Sequence, residues 1–217
     1  MKIDTSRWLK HDLAACSYVM LLTVGIAASC TAKKQEDPLP LFVKYTPTFV
    51  SGIADTSRVF VVVEIPAGTS TLQAIDSSGE IRSSGMTVDF LPFPGNFGFV
   101  AGCGRWDTAT GQLLPLPAMV MMDALQQESM IEVLPVATLQ LRKESGPYPV
   151  IIAIPADSSL QSIRAQNFVD FITEYDAARH ILQQWFLNYQ GRQTFALVGW
   201  QDEHSARQLI ADWKLKE

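Results

Sequence analysis

Cysteine and histidine are scarce in this chain, three of each among 217 residues. The cysteines cannot supply a disulfide framework. His180 and His204 fall on the polar faces of two helical stretches, with no ligand-like neighbours, and read as solvated surface residues. Cys103 has no Lys or His beside it in sequence and reads as a small loop residue, not a nucleophile. Basic charge is also thin: 17 Lys and Arg stand against 22 Asp and Glu, a net charge of −5. That balance argues against nucleic acid as a partner, because such proteins carry basic patches. No G-x-S-x-G elbow is present, no Lys follows the glycines at P-loop spacing, and Gly98, Gly102 and Gly104 do not form a dinucleotide fingerprint. The stretch "DTATGQ" lacks the alternating oxygen ligands of a calcium loop.

What is present is apolar. Hydrophobic residues make up 47% of the chain and charged residues 18%, enough for one ordinary domain with a full core. The N-terminus stands apart. Lys2, Arg7 and Lys10 precede the apolar run "LAACSYVMLLTVGIAAS", which ends on small residues before Cys30. This is the pattern of an export signal, and Ala27-Ala28-Ser29-Cys30 resembles a bacterial lipobox. The resemblance implies that Cys30 is lipidated and becomes the mature N-terminus. Cleavage then leaves only Cys30 and Cys103, so no internal disulfide is expected. Three segments follow: a signal peptide over 1–29, a lipidated Cys and tether over 30–45, and a folded domain over 46–217. The expected location is the bacterial cell envelope, with the domain outside the cytoplasm and lipid on Cys30 holding the membrane.

Within the domain, "VFVVVEIPAG" reads as a buried strand closed by Pro66 and Gly68. "GMTVDF", "FGFV", "MIEVLPVATLQLR" (bent at Pro135) and "YPVIIAIP" read as further strands. Short strands with Gly and Pro punctuation indicate a small barrel or sandwich. The last third changes period. Ala178, Ile181, Leu182, Trp185, Phe186 and Tyr189 recur at helical spacing, with Asp176 as N-cap and Gly191 as C-cap. Ala206, Leu209, Ile210 and Trp213 form a second stripe behind Asp202. Both stripes read as core.

The blocks "VVVEIPAG…LQAID…FPGNFGF…WDTATGQLLPL", "IEVLPVATLQL…VIIAIPAD", "WFLNY" and "VGWQDEHSARQLI" resemble, in order and spacing, the soluble family I inorganic pyrophosphatases. That family has a strand ending E-I-P, a Y-P-x-N-Y-G turn, a D-x-D-P-x-D motif and a closing V-x-G-W segment. The resemblance runs from Val59 to Ile210. It implies a mixed α/β, mainly β fold: a closed five-stranded OB-like barrel with two C-terminal helices packed outside. It also implies diphosphate hydrolysis driven by several Mg²⁺ ions.

Position by position, the ligands implied by the resemblance are largely replaced. Glu64 matches the E-I-P glutamate and Asp107 the first aspartate of D-x-D-P-x-D, with Ala109 and Gln112 at the other two. Phe93 and Phe97 stand at the tyrosines of the turn. Leu72 or Gln73 replaces a lysine, Ala74 a glutamate, and Gly85 an arginine. Lys143 and Tyr148 replace aspartates, and Val150 a lysine. Tyr189 keeps a phosphate-contacting tyrosine, but Gln190 replaces the lysine after it. A cluster of divalent ions needs a cluster of carboxylates to offset ion–ion repulsion. From Ser84 to Met130 the acids are Asp89, Asp107, Asp123 and Glu128, and the sole base is Arg105. Glu64 and Asp107 could hold one Mg²⁺ weakly, not three or four.

The expectation is therefore a catalytically inactive binding or structural domain. Phe93, Phe97 and Tyr189 would line a cleft for a small neutral ligand or a protein segment. No cofactor is expected beyond Mg²⁺ for any residual hydrolysis. The competing expectation is a hydrolase of reduced or altered activity that uses Glu64 and Asp107.

Overall fold

The structure, a computed structural model, describes residues 56–75, 81–88, 91–107, 113–190 and 194–215. The export signal, Cys30 and the tether lie outside the described residues, as do Ala109, Gln112 and Gly191. Among the described residues no helix is long and apolar enough to cross a membrane.

Eight strands are described: β1 (Val59–Ile65), β2 (Thr71–Ile75), β3 (Ile81–Thr87), β4 (Asn96–Trp106), β5 (Leu113–Val120), β6 (Met130–Lys143), β7 (Gly146–Pro155) and β8 (Ala196–Asp202). The helices are α1 (Phe168–Glu174), α2 (Asp176–Asn188) and α3 (Glu203–Trp213). Strands pair in the order β1-β4-β5-β7-β6, and β6 returns to β1, closing a five-stranded barrel. Closure removes sheet edges within the ring, which is why a run as apolar as Val61-Val62-Val63 can be wholly buried.

β6 serves two partners because it is long and bent. Its first part, Met130–Val133, pairs with β1, and Ala137–Arg142 pairs with β8. The register against β7 slips between Pro135 and Ala137. Pro135 has no N–H to give a ladder, so a bulge beside it lets the strand leave one neighbour for another. The strand β2 and its partner β3 form a separate two-stranded sheet.

Alternate residues of β7 enter two cores. Ile151 and Ala153 join the cluster capped by Ala206, Ile210 and Trp213 of α3. Val150, Ile152 and Ile154 join the cluster completed by Phe171 of α1 and Leu182, Trp185 and Phe186 of α2. Each large side chain so buried contributes roughly 1.5–3 kcal/mol.

The barrel matches the expectation, and three details correct it. Three helices are described where two were expected. The short α1 buries Phe171, and Asn167 starts it by accepting from the Asp170 amide. The helix α2 starts one residue earlier than expected, because Tyr175 holds the cap position and Asp176 is the first helical residue. Cys103 is buried in β4 and not in a loop, and burial pushes its thiol up to about 12. Asp202 does cap α3, accepting from the Ser205 amide at 2.9 Å.

Candidate functional site

The turn before β4 is a structural tie. Asn96 is fully buried: its Oδ1 accepts from the amides of Ala67 (3.1 Å) and Leu125 (2.8 Å), and its Nδ2 donates to the Asp123 carbonyl (2.9 Å). One side chain thus satisfies backbone groups of two loops that flank the barrel mouth. Gly98 lets β1 and β4 approach so closely that a Cβ there would collide with the Val62 carbonyl.

Around this turn the aromatic side chains gather. Phe93 lies 5.7 Å from Phe97 and 4.5 Å from Trp185 between ring centroids. Trp185 and Tyr189 stack at 4.3 Å with planes 9° apart, and Tyr189 stacks on Phe195 at 5.6 Å. Phe93 is 2% exposed and Phe97 is also buried. These two rings, expected to line the cleft, are packed beneath it, because α2 lays Trp185 and Phe186 over them. Tyr189 is half-buried and faces a cavity.

That cavity, about 1050 Å³, lies between the β2–β3 hairpin and α2. Leu72, Met86 and Val88 form one wall, with Leu91 beyond them. Ile181, Trp185 and Tyr189 form the other. Gln184, Asn188, Gln190, Thr87 and Thr194 supply neutral polar groups, and His180 stands at the margin. Trp185 pins the loop to the helix by donating from its indole N–H to the Leu91 carbonyl at 3.2 Å. Of the positions that the resemblance assigns to phosphate contacts, Tyr189, Gln190 and one of the pair Leu72 or Gln73, Leu72, come to this cavity; Val150 is buried in the core instead.

On the other side of Tyr189 and Phe195 lies a second group of side chains. Glu64, on β1, is half-buried, and burial pushes its carboxyl up from 4.5 to about 7. Tyr148 is held above the ordinary tyrosine range by burial and by the neighbouring Glu64. Tyr189 is raised by burial and then by Tyr148. The Lys143 ammonium sits 4.1 Å from the Tyr148 ring centroid and 4.7 Å from that of Phe195, a cation–π arrangement, and burial lowers its pKa.

Asp107 is not part of this group in the register of the barrel. Glu64 sits at the register shift between the pairs Val63–Gly98 and Ile65–Phe97, while Asp107 follows the end of β4 at Trp106. Among the described residues no three His, Cys, Asp or Glu side chains come together as a metal site. The donor set around Glu64 does not fit Mg²⁺: one carboxyl, two phenols, aromatic rings and an ammonium offer no ring of hard anionic oxygens.

Comparison with known proteins agrees with this fold. A family model described as inorganic pyrophosphatase matches residues 61–216. The chain is 25% identical over 156 residues to the inorganic pyrophosphatase of Aeropyrum pernix, covering 70% of this chain and 85% of that one. It is 27% identical over 157 residues to that of Sulfolobus acidocaldarius, covering 70% and 87%. Among solved structures, the inorganic pyrophosphatase of Thermus thermophilus superposes with a TM-score of 0.64 at 20% identity, covering 82% of this chain and 95% of that one. A closed barrel of this strand order, with the match spanning nearly all of it, places the chain in the inorganic pyrophosphatase family.

Proposed function

We propose that this chain is a non-hydrolysing binding domain built on the pyrophosphatase barrel and held at the bacterial envelope by lipid on Cys30. One observation carries the reading. Of the positions matched to phosphate contacts, Tyr189, Gln190 and Leu72 (of the pair Leu72 or Gln73) stand on the wall of one apolar cavity, while Val150 is buried in the core. Pyrophosphate carries several negative charges, and binding it there would strip its water without offering a cation among the described lining residues.

The metal side supports the same reading. Lys143 and Tyr148 stand at positions matched to aspartates, so an ammonium replaces an anionic ligand. β5 suggests that the loss goes further. Its run Leu114-Pro115-Leu116-Pro117-Ala118-Met119 is similar to D-x-D-P-x-D with the proline kept at Pro117. That register puts Leu114, Leu116 and Met119 at the three aspartates, and Leu116 and Met119 are fully buried. Asp107 then belongs to the β4–β5 connection and matches no ligand. The retained proline was the sequence signal for this register.

The test is a sensitive phosphate-release assay on the full chain with pyrophosphate and Mg²⁺ or Mn²⁺. No release above a buffer blank is expected. Release that Asp107→Ala or Glu64→Gln abolishes would establish the competing reading, a residual hydrolase, which the survival of Glu64 favours. The anchor is tested separately by mass spectrometry of the mature N-terminus. Diacylglycerol on Cys30 is expected, and an intact Met1 or a bare Cys30 thiol removes the lipoprotein reading.

A further inference from the structure

The cavity between the β2–β3 hairpin and α2 has a composition that narrows its occupant. Its volume of about 1050 Å³ lies at the top of the range of about 300–1,000 Å³ usual for small-molecule sites. Its exposed wall is aliphatic: Met86 and Ile181 are each 59% exposed and Leu91 is 48% exposed. A folded domain leaves such a contiguous apolar surface open when something else covers it.

The aromatic rings there do not offer themselves to a planar ligand. Trp185 and Tyr189 face each other at 4.3 Å, the far side of Tyr189 is stacked on Phe195, and Phe93 packs against Trp185. The free contact surface is left to Leu, Ile, Val and Met side chains, whose flexible shapes suit a flexible chain. The polar groups at the margin are amides and hydroxyls, and among the described lining residues none is Lys, Arg, Asp or Glu. A carboxylate or phosphate head would find no Lys or Arg among the described lining residues, and His180 at the margin is already beside Asp176 at 3.1 Å, whereas a hydroxyl or ester head finds donors and acceptors in Gln184, Gln190, Thr87 and Thr194.

We infer that this groove binds an aliphatic chain bearing an uncharged polar head, the chemistry of a monoacylglycerol. The inference rests on the reading of the domain as a binding module and names its ligand class.

The experiment is photoaffinity labelling of the full chain with a glycerol monoester of a diazirine-bearing twelve-carbon acid, followed by peptide mapping. Label is expected on peptides containing Met86, Leu91 or Ile181. Unlabelled glycerol monolaurate should displace it at least tenfold more effectively than laurate. Met86→Asp and Ile181→Asp alter exposed positions, so circular dichroism and melting temperature should stay unchanged while labelling falls at least tenfold. Label scattered along the chain, label indifferent to both substitutions, or equal competition by laurate would each overturn the inference. The two readings fail separately: pyrophosphate turnover would overturn the binding module with the label still in the groove, while absent labelling would leave the phosphate-release result as it stands.

Discussion

The β6–β7 hairpin and the β2–β3 hairpin have both lost the residues that the family resemblance places there, and they show the loss differently. The strands β6 and β7 are paired from Val133–Pro155 to Lys143–Gly146, and most of their length is buried. There the replaced positions are filled from within: Val150 joins the core, and Tyr148 lies under Lys143 and against Phe195. The β2–β3 hairpin is short, and β3 is exposed over most of its length. There the replacement leaves an open apolar wall. A strand paired on both sides must fill every gap with side chain. A hairpin beside solvent need not, so the same kind of substitution closes one half of the cleft and opens the other.

Four substitutions test that contrast, from the severest to the mildest. Gly98→Ala places a methyl against the Val62 carbonyl where β1 and β4 meet, and loss of soluble folded protein is expected on expression. A folded product with unchanged melting temperature would show that the two strands can separate. Phe186→Ala opens a cavity in the fully buried cluster and should cost about 4 kcal/mol in denaturant unfolding. A loss under about 1 kcal/mol would mean that α2 is not held by its buried face.

The third concerns pH. Glu64 is raised in the folded state from 4.5 to about 7, so between those values the folded chain holds a proton that the unfolded chain has released. Stability therefore falls as pH rises across that window and levels off above it, by on the order of 3 kcal/mol. Glu64→Gln should flatten that slope and raise the melting temperature at pH 8. A slope that the substitution leaves untouched would place the titrating group elsewhere. On the acid side the trend is opposite for Asp202, which a hydrogen bond from the Ser205 amide holds below the usual carboxylate range; its contribution is lost as pH falls. The mildest change is Met86→Ala on the open wall, expected to stay within about 0.5 kcal/mol of the parent in denaturant unfolding. A large loss would show that Met86 supports the hairpin and is not free to meet a ligand.

Much of the barrel was legible because burial writes a pattern. Val59–Ile65, Met130–Lys143 and Gly146–Pro155 are apolar runs bounded by Gly and Pro, and each is a strand. Three strands escape the sequence reading, the short β2, β5 and β8. β5 contains Pro115 and Pro117, which argue against a strand by local rule, yet Pro117 faces Phe99 across a stretch where the register shifts. β8 has little buried surface and so little periodicity; its pairing with β6 makes it a strand. The site was legible in its losses and not in its shape. That Leu72, Tyr189 and Gln190 replace or keep ligand positions could be seen along the chain. That Phe93 and Phe97 lie under α2, and not on the cleft wall, depends on where Trp185 and Phe186 come to rest.

By itself the sequence determined the apolar barrel strands, the helical stripes and the shortage of acidic and basic ligands, because composition and period are local properties that need no partner to be read. Tertiary structure alone decided that Glu64 comes beside Tyr148, that Glu64 is buried enough to hold its proton near neutrality, and that the β2–β3 hairpin and α2 leave a groove between them. Those facts are distances and dielectric surroundings. Both arise only when segments far apart in the chain are packed against one another.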